Sequence, residues 1–193
     1  IDDNTDIVIG LSSKIITADP HYDNTQPSFN LAWQVYEPLI NIDQRTGDTE
    51  NFIAKKISLI TPRTWEVIIQ EGIHFHDNSI LTIDDVIYSI QRLQYYPDVK
   101  KSINPMSVYA KNIAHVEKIS PNSMMIHTNQ DNFNILPGLS RIFIIKKPLN
   151  IALANRESFD SGQNAIGTGP YSFGGYDKNG DILLHRFDRF HAE

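Results

Sequence analysis

The sequence predicts a mixed α+β domain, and three observations indicate this class. Short apolar runs end at turn residues, as around Thr61-Pro62-Arg63 and Pro121-Asn122, which is the pattern of antiparallel hairpins. The segments that follow Ser28 and Thr82 space their apolar residues three and four apart, as amphipathic helices do. Strands and helices do not alternate regularly along the chain, so a doubly wound parallel sheet is not expected.

The first expected elements are a strand and a helix. The run Ile7-Val8-Ile9, within Asp6 to Leu11, is β-branched and short, which predicts a buried strand. After a loop, Ser28 is the expected N-cap of a helix that ends at Pro38. The apolar face of this helix would comprise Phe29, Ala32, Trp33, Tyr36 and Ile40.

The middle of the chain predicts a hairpin followed by a second helix. Ile57 to Ile60 and Thr64 to Gln70 form the hairpin, and its second strand places alternate apolar residues on one core face. Thr82 begins the helix because its hydroxyl can cap the N–H of Asp85, and acidic residues in the first turn suit the helix dipole. Pro97 is expected to end this helix.

The second half predicts six more elements. In chain order these are a hairpin of Asn112 to Ser120 and Met124 to Thr128, a helical piece at Leu136, a buried strand from Ile142 to Ile145, and a closing hairpin of Tyr171 to Tyr176 and Ile182 to Arg186. The closing hairpin flanks Asp177-Lys178-Asn179-Gly180-Asp181, which is a strong turn signal.

Composition excludes several classes of function. The 193 residues carry 17 Lys and Arg against 23 Asp and Glu, a net charge of −6, so no surface suited to nucleic acid is expected. The absence of cysteine excludes disulfides, thiol nucleophiles and thiolate metal sites. The apolar runs are too short to span a bilayer, and the first residues lack the pattern of a signal peptide.

No segment predicts catalysis. The chain has no G-x-S-x-G, H-E-x-x-H or P-loop motif, and Gly167-Thr168-Gly169 runs into Pro170 instead of a third glycine and a helix. The best metal candidate is His74-Phe75-His76-Asp77, because alternation on a strand would place both imidazoles on one face. No third ligand follows at a suitable spacing, so a structural turn is the preferred interpretation. We therefore predict no catalytic residue, metal or cofactor.

Four ordered motifs carry a family resemblance. They are Asp19-Pro20-His21, Val35-Tyr36-Glu37-Pro38-Leu39, Phe75-His76-Asp77-Asn78 with Leu81-Thr82-Ile83-Asp84-Asp85-Val86, and Ile166-Gly167-Thr168-Gly169-Pro170-Tyr171. In this order they resemble the extracytoplasmic solute-binding proteins of the peptide/nickel type, family 5, which serve ABC importers. The resemblance covers almost the whole chain.

Two segments depart from the family pattern. Asn78 stands where the family usually has glycine, which predicts a positive φ that asparagine tolerates. Arg186 to His191 is a degraded form of the usual Asn-x-x-Tyr-Trp ending. These departures bear on the ligand class more than on the fold.

The resemblance implies the N-terminal lobe of a class II periplasmic-binding-protein-like fold. Residues 1–45 and 165–193 would form the core sheet of lobe one, and residues 46–164 an inserted α/β subdomain. Because family members are much longer, the chain is expected to be a fragment that lacks the second lobe and provides only one wall of the cleft. Such a fragment should bind ligand weakly or not at all.

The resemblance also implies a function without chemistry. A monomer in the periplasm or cell envelope would capture a small solute, with short peptides the first choice, and deliver it to an ABC permease. The expected ligand-binding residues lie in loops and at element ends of the cleft wall: Tyr22, Phe29, Asn30, Tyr109 and Arg141. Arg141 is suited to holding a carboxylate with two hydrogen bonds.

Three alternatives stay open at this point. The same family includes binders of nickel chelates, haem and oligosaccharides. The fold also serves as the ligand-sensing domain of some transcription regulators, which would require a DNA-binding domain elsewhere in the protein. A hydrolase on a similar scaffold would depend on a Ser and a His that the fold brings together.

Overall fold

Short strands and helices alternate irregularly through residues 8–95, 105–132, 134–150 and 155–191, the parts of the chain that a computed structural model describes. The elements, in chain order, are α1 (Gln26–Val35), β1 (Glu37–Pro38), β2 (Ile40–Ile42), β3 (Thr49–Asn51), β4 (Ala54–Thr61), β5 (Thr64–Ile69), α2 (Ile83–Gln94), a 3₁₀ helix (Pro105–Tyr109), β6 (Ile113–Ser120), β7 (Ser123–Thr128), α3 (Leu136–Leu139), β8 (Phe143–Ile144), α4 (Arg156–Asp160), β9 (Tyr171–Tyr176) and β10 (Ile182–Arg186). Within these ranges, no helix has the length and apolar character needed to cross a membrane.

The largest sheet has four antiparallel strands in the order β4-β5-β7-β6. It consists of the two predicted hairpins, which turn at Pro62-Arg63 and at Pro121-Asn122, so both predictions are confirmed. The central strands β5 and β7 alternate between buried and half-buried residues. Trp65 lies opposite Ile126, and both side chains are buried. One face of this sheet is therefore a core face, as the alternation predicted.

Helix α2 packs its apolar face into the same core. Thr82 is its N-cap, as predicted, and the Thr82 N–H and hydroxyl both donate to the Asp85 carboxylate, at 2.8 and 2.7 Å. The apolar residues of α2 in this core are Ile83, Val86, Ile90 and Leu93. The helix ends at Gln94, and Pro97, which was expected to end it, lies outside the described residues.

Helix α1 begins earlier than predicted. Its N-cap is Thr25, so the expectation that Ser28 caps it is wrong. Pro27 explains the difference, because its fixed φ suits a first turn and its missing N–H costs nothing there. The Ser28 hydroxyl donates instead to the Asp23 carboxylate at 2.5 Å. The helix ends before Pro38 as expected, and Tyr36 adopts an extended conformation at the C-cap.

The strand predicted for Asp6 to Leu11 is not formed in its described part. Residues 8–11 have no regular structure, and Val8 and Ile9 are 92% and 73% exposed. The described residues contain no strand that pairs with this run, so its apolar side chains have no sheet to pack into. Residues 6 and 7 lie outside the described part of the chain.

A second core forms around α1. Its buried members include Leu31, Val35, Tyr36, Phe143 and Phe159. The two-residue strands β1 and β8 pair antiparallel beside it. The strand predicted from Ile142 to Ile145 is therefore shorter than expected, although all four of its residues are buried. The hairpin of β9 and β10 forms with the predicted bounds and packs against this core. Ile40, expected on the face of α1, belongs to β2 and to the first core.

Candidate functional site

Phe29 and Arg141, two of the predicted ligand-binding residues, lie against each other. The Arg141 guanidinium carbon is 5.3 Å from the centroid of the Phe29 ring, within the range of a cation–π contact. The Phe29 ring also contacts Phe143, at 6.1 Å between centroids, and Trp33 meets Phe143 edge-on at 5.2 Å. We call Phe29, Trp33, Phe143 and Arg141 the aromatic wall. It combines the half-buried rings of Phe29 and Trp33 with one guanidinium group, over the fully buried Phe143 ring.

Tyr22 forms a second pair of an aromatic ring and an arginine. The Arg156 guanidinium carbon lies 5.0 Å from the centroid of the Tyr22 ring. The Tyr22 N–H donates to the carbonyl oxygen of Asp19 at 3.3 Å. Tyr22 adjoins the aromatic wall through His21, whose Nε2 lies 2.8 Å from the Phe143 carbonyl oxygen.

The other two predicted residues have different surroundings. Asn30 is exposed on α1, and its Oδ1 accepts a hydrogen bond from Gln26 at 2.9 Å. Tyr109 ends the 3₁₀ helix and packs, half-buried, against the first core. A methyl group on Gly138 would lie 2.7 Å from the Tyr109 carbonyl oxygen, so α3 approaches Tyr109 closely. Arg141 donates its N–H to Gly138 at 3.0 Å, which places Tyr109 beside the turn that carries Arg141.

A buried ion pair lies beneath the loop that carries Tyr22. Arg92 of α2 donates to both carboxylate oxygens of Asp19, at 2.9 and 2.6 Å, and the two side chains are 2% and 0% exposed. Asp19 also accepts the backbone N–H of His21 at 3.0 Å. This geometry gives the Asp19-Pro20-His21 motif a structural role, since it fixes the loop between the chain start and α1.

His21 is buried and its imidazole is held neutral over a wide pH range. Burial and the nearby Arg92 charge lower the pKa of His21 to about 4, against the opposing effect of the Asp19 carboxylate. The Arg92 guanidinium also lies 4.8 Å from the centroid of the Phe159 ring. Three elements therefore meet at this charged cluster: the loop, α2 and α4.

The remaining three motifs meet at one junction. Gly167 and Gly169 lie so close to the end of α1 that a methyl group on Gly167 would overlap the Val35 carbonyl oxygen, and one on Gly169 would lie 2.5 Å from the Gln34 carbonyl oxygen. Between them, the Thr168 hydroxyl donates to the buried Glu37 carboxylate at 2.7 Å. The glycines therefore allow a backbone contact that no other residue would permit.

His76 belongs to this junction. Its Nε2 lies 2.9 Å from the Gly169 carbonyl oxygen, and its Nδ1 accepts the Gly167 N–H at 3.3 Å. Burial lowers the pKa of His76. Both ring nitrogens face protein groups, and the described residues contain no group of three or more His, Cys, Asp or Glu side chains placed to hold a metal ion.

One groove lies apart from the aromatic wall. It has a volume of about 390 Å³ and runs between residues 146–150 and residues 163–166, at the opposite end of β8 from Arg141. None of the five predicted ligand-binding residues lines it. Their roles as ligand contacts therefore stay predictions that rest on the aromatic wall and the Tyr22 pair.

Sequence reasoning missed three charged residues at this site. Arg92 occupies the buried face of α2, one position before Leu93, and a charged residue in an apolar stripe was the available signal. Arg156 and Asp160 lie on the five-residue helix α4, which the sequence pattern did not reveal. A segment of five residues is too short to show helical periodicity.

Comparison with known sequences shows similarity to one protein family and to curated transcription regulators. A sequence model of the bacterial extracellular solute-binding proteins, family 5 Middle, matches residues 54–193. The HTH-type transcriptional regulator SgrR of Escherichia coli O6:K15:H31 is 29% identical over 163 residues, which cover 83% of this chain and 26% of the regulator. The chain therefore spans about a quarter of the length of this curated relative.

Solved structures resemble the chain over most of its length. NikZ of Campylobacter jejuni, in complex with Ni(L-His), has a TM-score of 0.76 at 21% identity, and the match covers 94% of this chain and 35% of NikZ. The oligopeptide-binding protein AppA of Bacillus subtilis, in complex with a nonapeptide, has a TM-score of 0.74 at 22% identity, covering 89% and 34%. These matches confirm the predicted mixed α/β, periplasmic-binding-protein-like fold.

Proposed function

The chain belongs to the family 5 bacterial extracellular solute-binding proteins, and from that premise we propose that it forms one wall of the ligand cleft in the solute-binding component of an ABC importer. The solute is a short peptide, which the protein captures outside the cytoplasmic membrane and delivers to a membrane permease. The protein carries out no chemical reaction and works as a monomer. Nucleic acid is not its ligand in this role.

The observation that carries this proposal is the contact between Arg141 and Phe29. The ring supplies apolar surface for a peptide side chain, and the guanidinium can hold a carboxylate with two parallel hydrogen bonds. A peptide presents both groups at once. Tyr22, Asn30 and Tyr109 complete the proposed contact surface around this pair.

The domain arrangement is part of the proposal. Residues 1–45 and 165–193 contribute to the core sheet of the first lobe, and residues 46–164 form its inserted subdomain. The opposite wall of the cleft comes from a second lobe elsewhere in a longer polypeptide. The solved relatives support this view, because this chain matches only 34–35% of the length of each. Closure of two lobes around the solute would exclude water from both walls.

A ligand-sensing domain of a transcription regulator is the second candidate. The match to SgrR, 29% identical over 83% of this chain, favours it. In that role the same wall would bind a small solute in the cytoplasm, and solute binding would alter DNA binding by another domain. Ligands of the nickel-chelate, haem and oligosaccharide classes remain alternatives to a peptide in either role.

A binding screen on the full-length protein tests the proposal. Thermal melting is measured with di- to pentapeptides, with Ni²⁺ and histidine, with haem and with oligosaccharides, because a ligand that binds only the native state raises its stability. We expect a peptide to raise the melting temperature by several degrees. A response to another class alone would overturn the peptide assignment.

Three variants then test the wall. Arg141→Ala should weaken peptide binding about 10-fold or more, the usual effect of losing a charge-assisted hydrogen bond, and Phe29→Ala should weaken it as well. Arg45→Ala, at an exposed turn with its side chain 87% accessible, is the matched control and should bind normally. If Arg141→Ala bound the peptide with unchanged affinity, the proposed role of the aromatic wall in peptide binding would be refuted.

One further measurement separates the importer from the regulator. Deletion of the gene should abolish uptake of the identified peptide if the protein serves a permease. A regulator would leave uptake machinery intact and would bind DNA upstream of its own or neighbouring genes, with an affinity that changes when the solute is added.

A further inference from the structure

The Asp160 carboxylate of α4 anchors the loop from Ile16 to Tyr22. Oδ1 of Asp160 accepts the Thr17 hydroxyl at 2.6 Å and the Ala18 N–H at 2.8 Å. Asp160 is 142 positions away from Ala18 along the chain, so these bonds fix the loop to a distant element. Two donors on one carboxylate oxygen define both the distance and the direction of the loop.

Arg156, one turn earlier on α4, extends this contact to the Tyr22 ring. Its Nη2 donates to the Ile16 carbonyl oxygen at 3.0 Å, and its Nε lies 3.3 Å from Oδ2 of Asp160. Its guanidinium carbon lies 5.0 Å from the centroid of the Tyr22 ring. A planar guanidinium held at two points presents a fixed face to the ring.

The backbone of Tyr22 is fixed from the other side. The Tyr22 N–H donates to the Asp19 carbonyl oxygen, and the Asp19 carboxylate is bound by the buried Arg92. This anchor determines where the Tyr22 backbone lies, but it does not contact the ring. The Arg156 guanidinium, in contrast, lies against the ring itself.

Helix α4 does not need Arg156 to stay in place. Asn155 caps it by accepting the Ser158 N–H at 3.1 Å, and the buried Phe159 fixes it to the second core. Removal of the Arg156 side chain should therefore release the Tyr22 ring without displacing the helix. This separation makes a positioning role testable.

We propose that Arg156 and Asp160 are positioning residues that set the location and ring orientation of Tyr22 in the proposed contact surface for the solute. The inference rests on the proposed function, in which Tyr22 contacts the solute. Arg156 acts through Tyr22 and not as a second carboxylate binder, because its Nε and Nη2 are directed at Asp160 and Ile16. Asp160 places the loop, and Arg156 places the ring.

The test uses ¹⁹F NMR of the protein labelled with 3-fluorotyrosine. Tyr22→Phe identifies the Tyr22 resonance by its disappearance. Arg156→Ala should move that resonance and leave that of the distant Tyr109 in place, with a melting temperature within about 3 °C of the wild type. Arg156→Lys keeps a cation at the ring and should restore much of the original shift.

Two further variants complete the test. Asp160→Asn weakens the anchor on Thr17 and Ala18 and should also move the Tyr22 resonance. Arg45→Ala removes an exposed arginine paired with Asp43 at 3.6 Å and should leave the whole spectrum unchanged. A Tyr22 resonance that stays in place in folded Arg156→Ala would overturn the proposal, since Arg156 would then not set the position of the Tyr22 ring.

This experiment needs no solute, so its result is independent of the proposed function. If the binding screen fails and the Tyr22 resonance moves, the proposed ligand contacts are refuted, while the positioning of Tyr22 by α4 holds. If the screen succeeds and the resonance does not move, the wall holds and the positioning role is refuted.

Discussion

Asp19 and Arg92 form a two-pronged ion pair inside the protein, with both N–O distances below 3 Å, although they are 73 positions apart in the sequence. The pair joins the loop before α1 to the last turn of α2. A buried carboxylate or guanidinium without its partner carries a large desolvation cost, so each side chain makes the other necessary.

Breaking this pair should destabilise the protein strongly. Asp19→Asn and Arg92→Met should each lower the free energy of unfolding by about 3–5 kcal/mol, because each leaves an uncompensated buried group. Urea denaturation measures the change. The matched control is Arg63→Ala, which breaks an exposed pair with Asp131 and should cost about 1 kcal/mol or less. Equal losses for the buried and the exposed pair would contradict the argument.

His21 should make stability depend on pH between about 6.5 and about 4. The folded protein keeps His21 neutral down to a pKa of about 4, whereas the unfolded chain takes up the proton near 6.5. The unfolded state therefore binds more protons in this window, and stability falls as the pH falls, by up to about 3 kcal/mol in total.

The variant His21→Gln isolates this contribution. Its amide can still donate to the Phe143 carbonyl oxygen, but it cannot titrate. Urea unfolding at a series of pH values should show a shallower loss of stability for His21→Gln than for the wild type. Parallel curves for the two proteins would rule out His21 as the titrating group.

The glycines of the motif junction should not tolerate a side chain. Gly167→Ala and Gly169→Ala place a methyl group against the backbone of α1, and we expect each to cost about 3 kcal/mol or to prevent folding. Gly10→Ala is the control, since a methyl group there would meet nothing within 4 Å. Yield of soluble protein and melting temperature report the difference. A normal melting temperature for Gly167→Ala would show that the close approach is not required.

Asn78 has the positive φ that the family pattern predicted. Its φ is 66°, and its side-chain oxygen accepts a hydrogen bond from Arg189 at 3.2 Å. Asn78→Ala should cost about 1 kcal/mol, because a Cβ without a local polar group is disfavoured in this region, whereas Asn78→Gly should be close to neutral. Thermal melting of the two variants separates two causes. Loss of the Arg189 hydrogen bond would lower the melting temperature of both variants equally, whereas backbone strain would lower only that of Asn78→Ala.

The sequence predicted elements well where a local rule decided them. Both large hairpins, the start of α2 at Thr82 and the closing hairpin follow from turn residues, alternation and a capping box. Expectations that needed distant partners were less successful. The apolar run at Val8 and Ile9 has strand propensity but no described neighbour to pair with, and propensity alone does not make a strand.

The site shows the same division. The family resemblance predicted Tyr22 and Arg141 as ligand contacts, but the pairing of each with its ring or guanidinium partner depends on three-dimensional contacts. Arg156 and Asp160 could not be predicted because a five-residue helix has no periodic signal. Arg92 could have been suspected from its place in an apolar stripe, although its partner Asp19 could not.

The two cores differ in how they can assemble over time. The four-stranded sheet is made of two hairpins with short turns, so most of its pairing closes small loops and is entropically cheap. The second core instead joins α1 to Phe143 and Phe159, which are more than a hundred positions away. Local contacts form faster than distant ones, so the sheet should fold before α1 docks.

Each core carries one tryptophan, Trp65 in the first and Trp33 beside the second. In refolding experiments on Trp33→Phe and Trp65→Phe, the fluorescence of Trp65 should therefore reach its native value before that of Trp33.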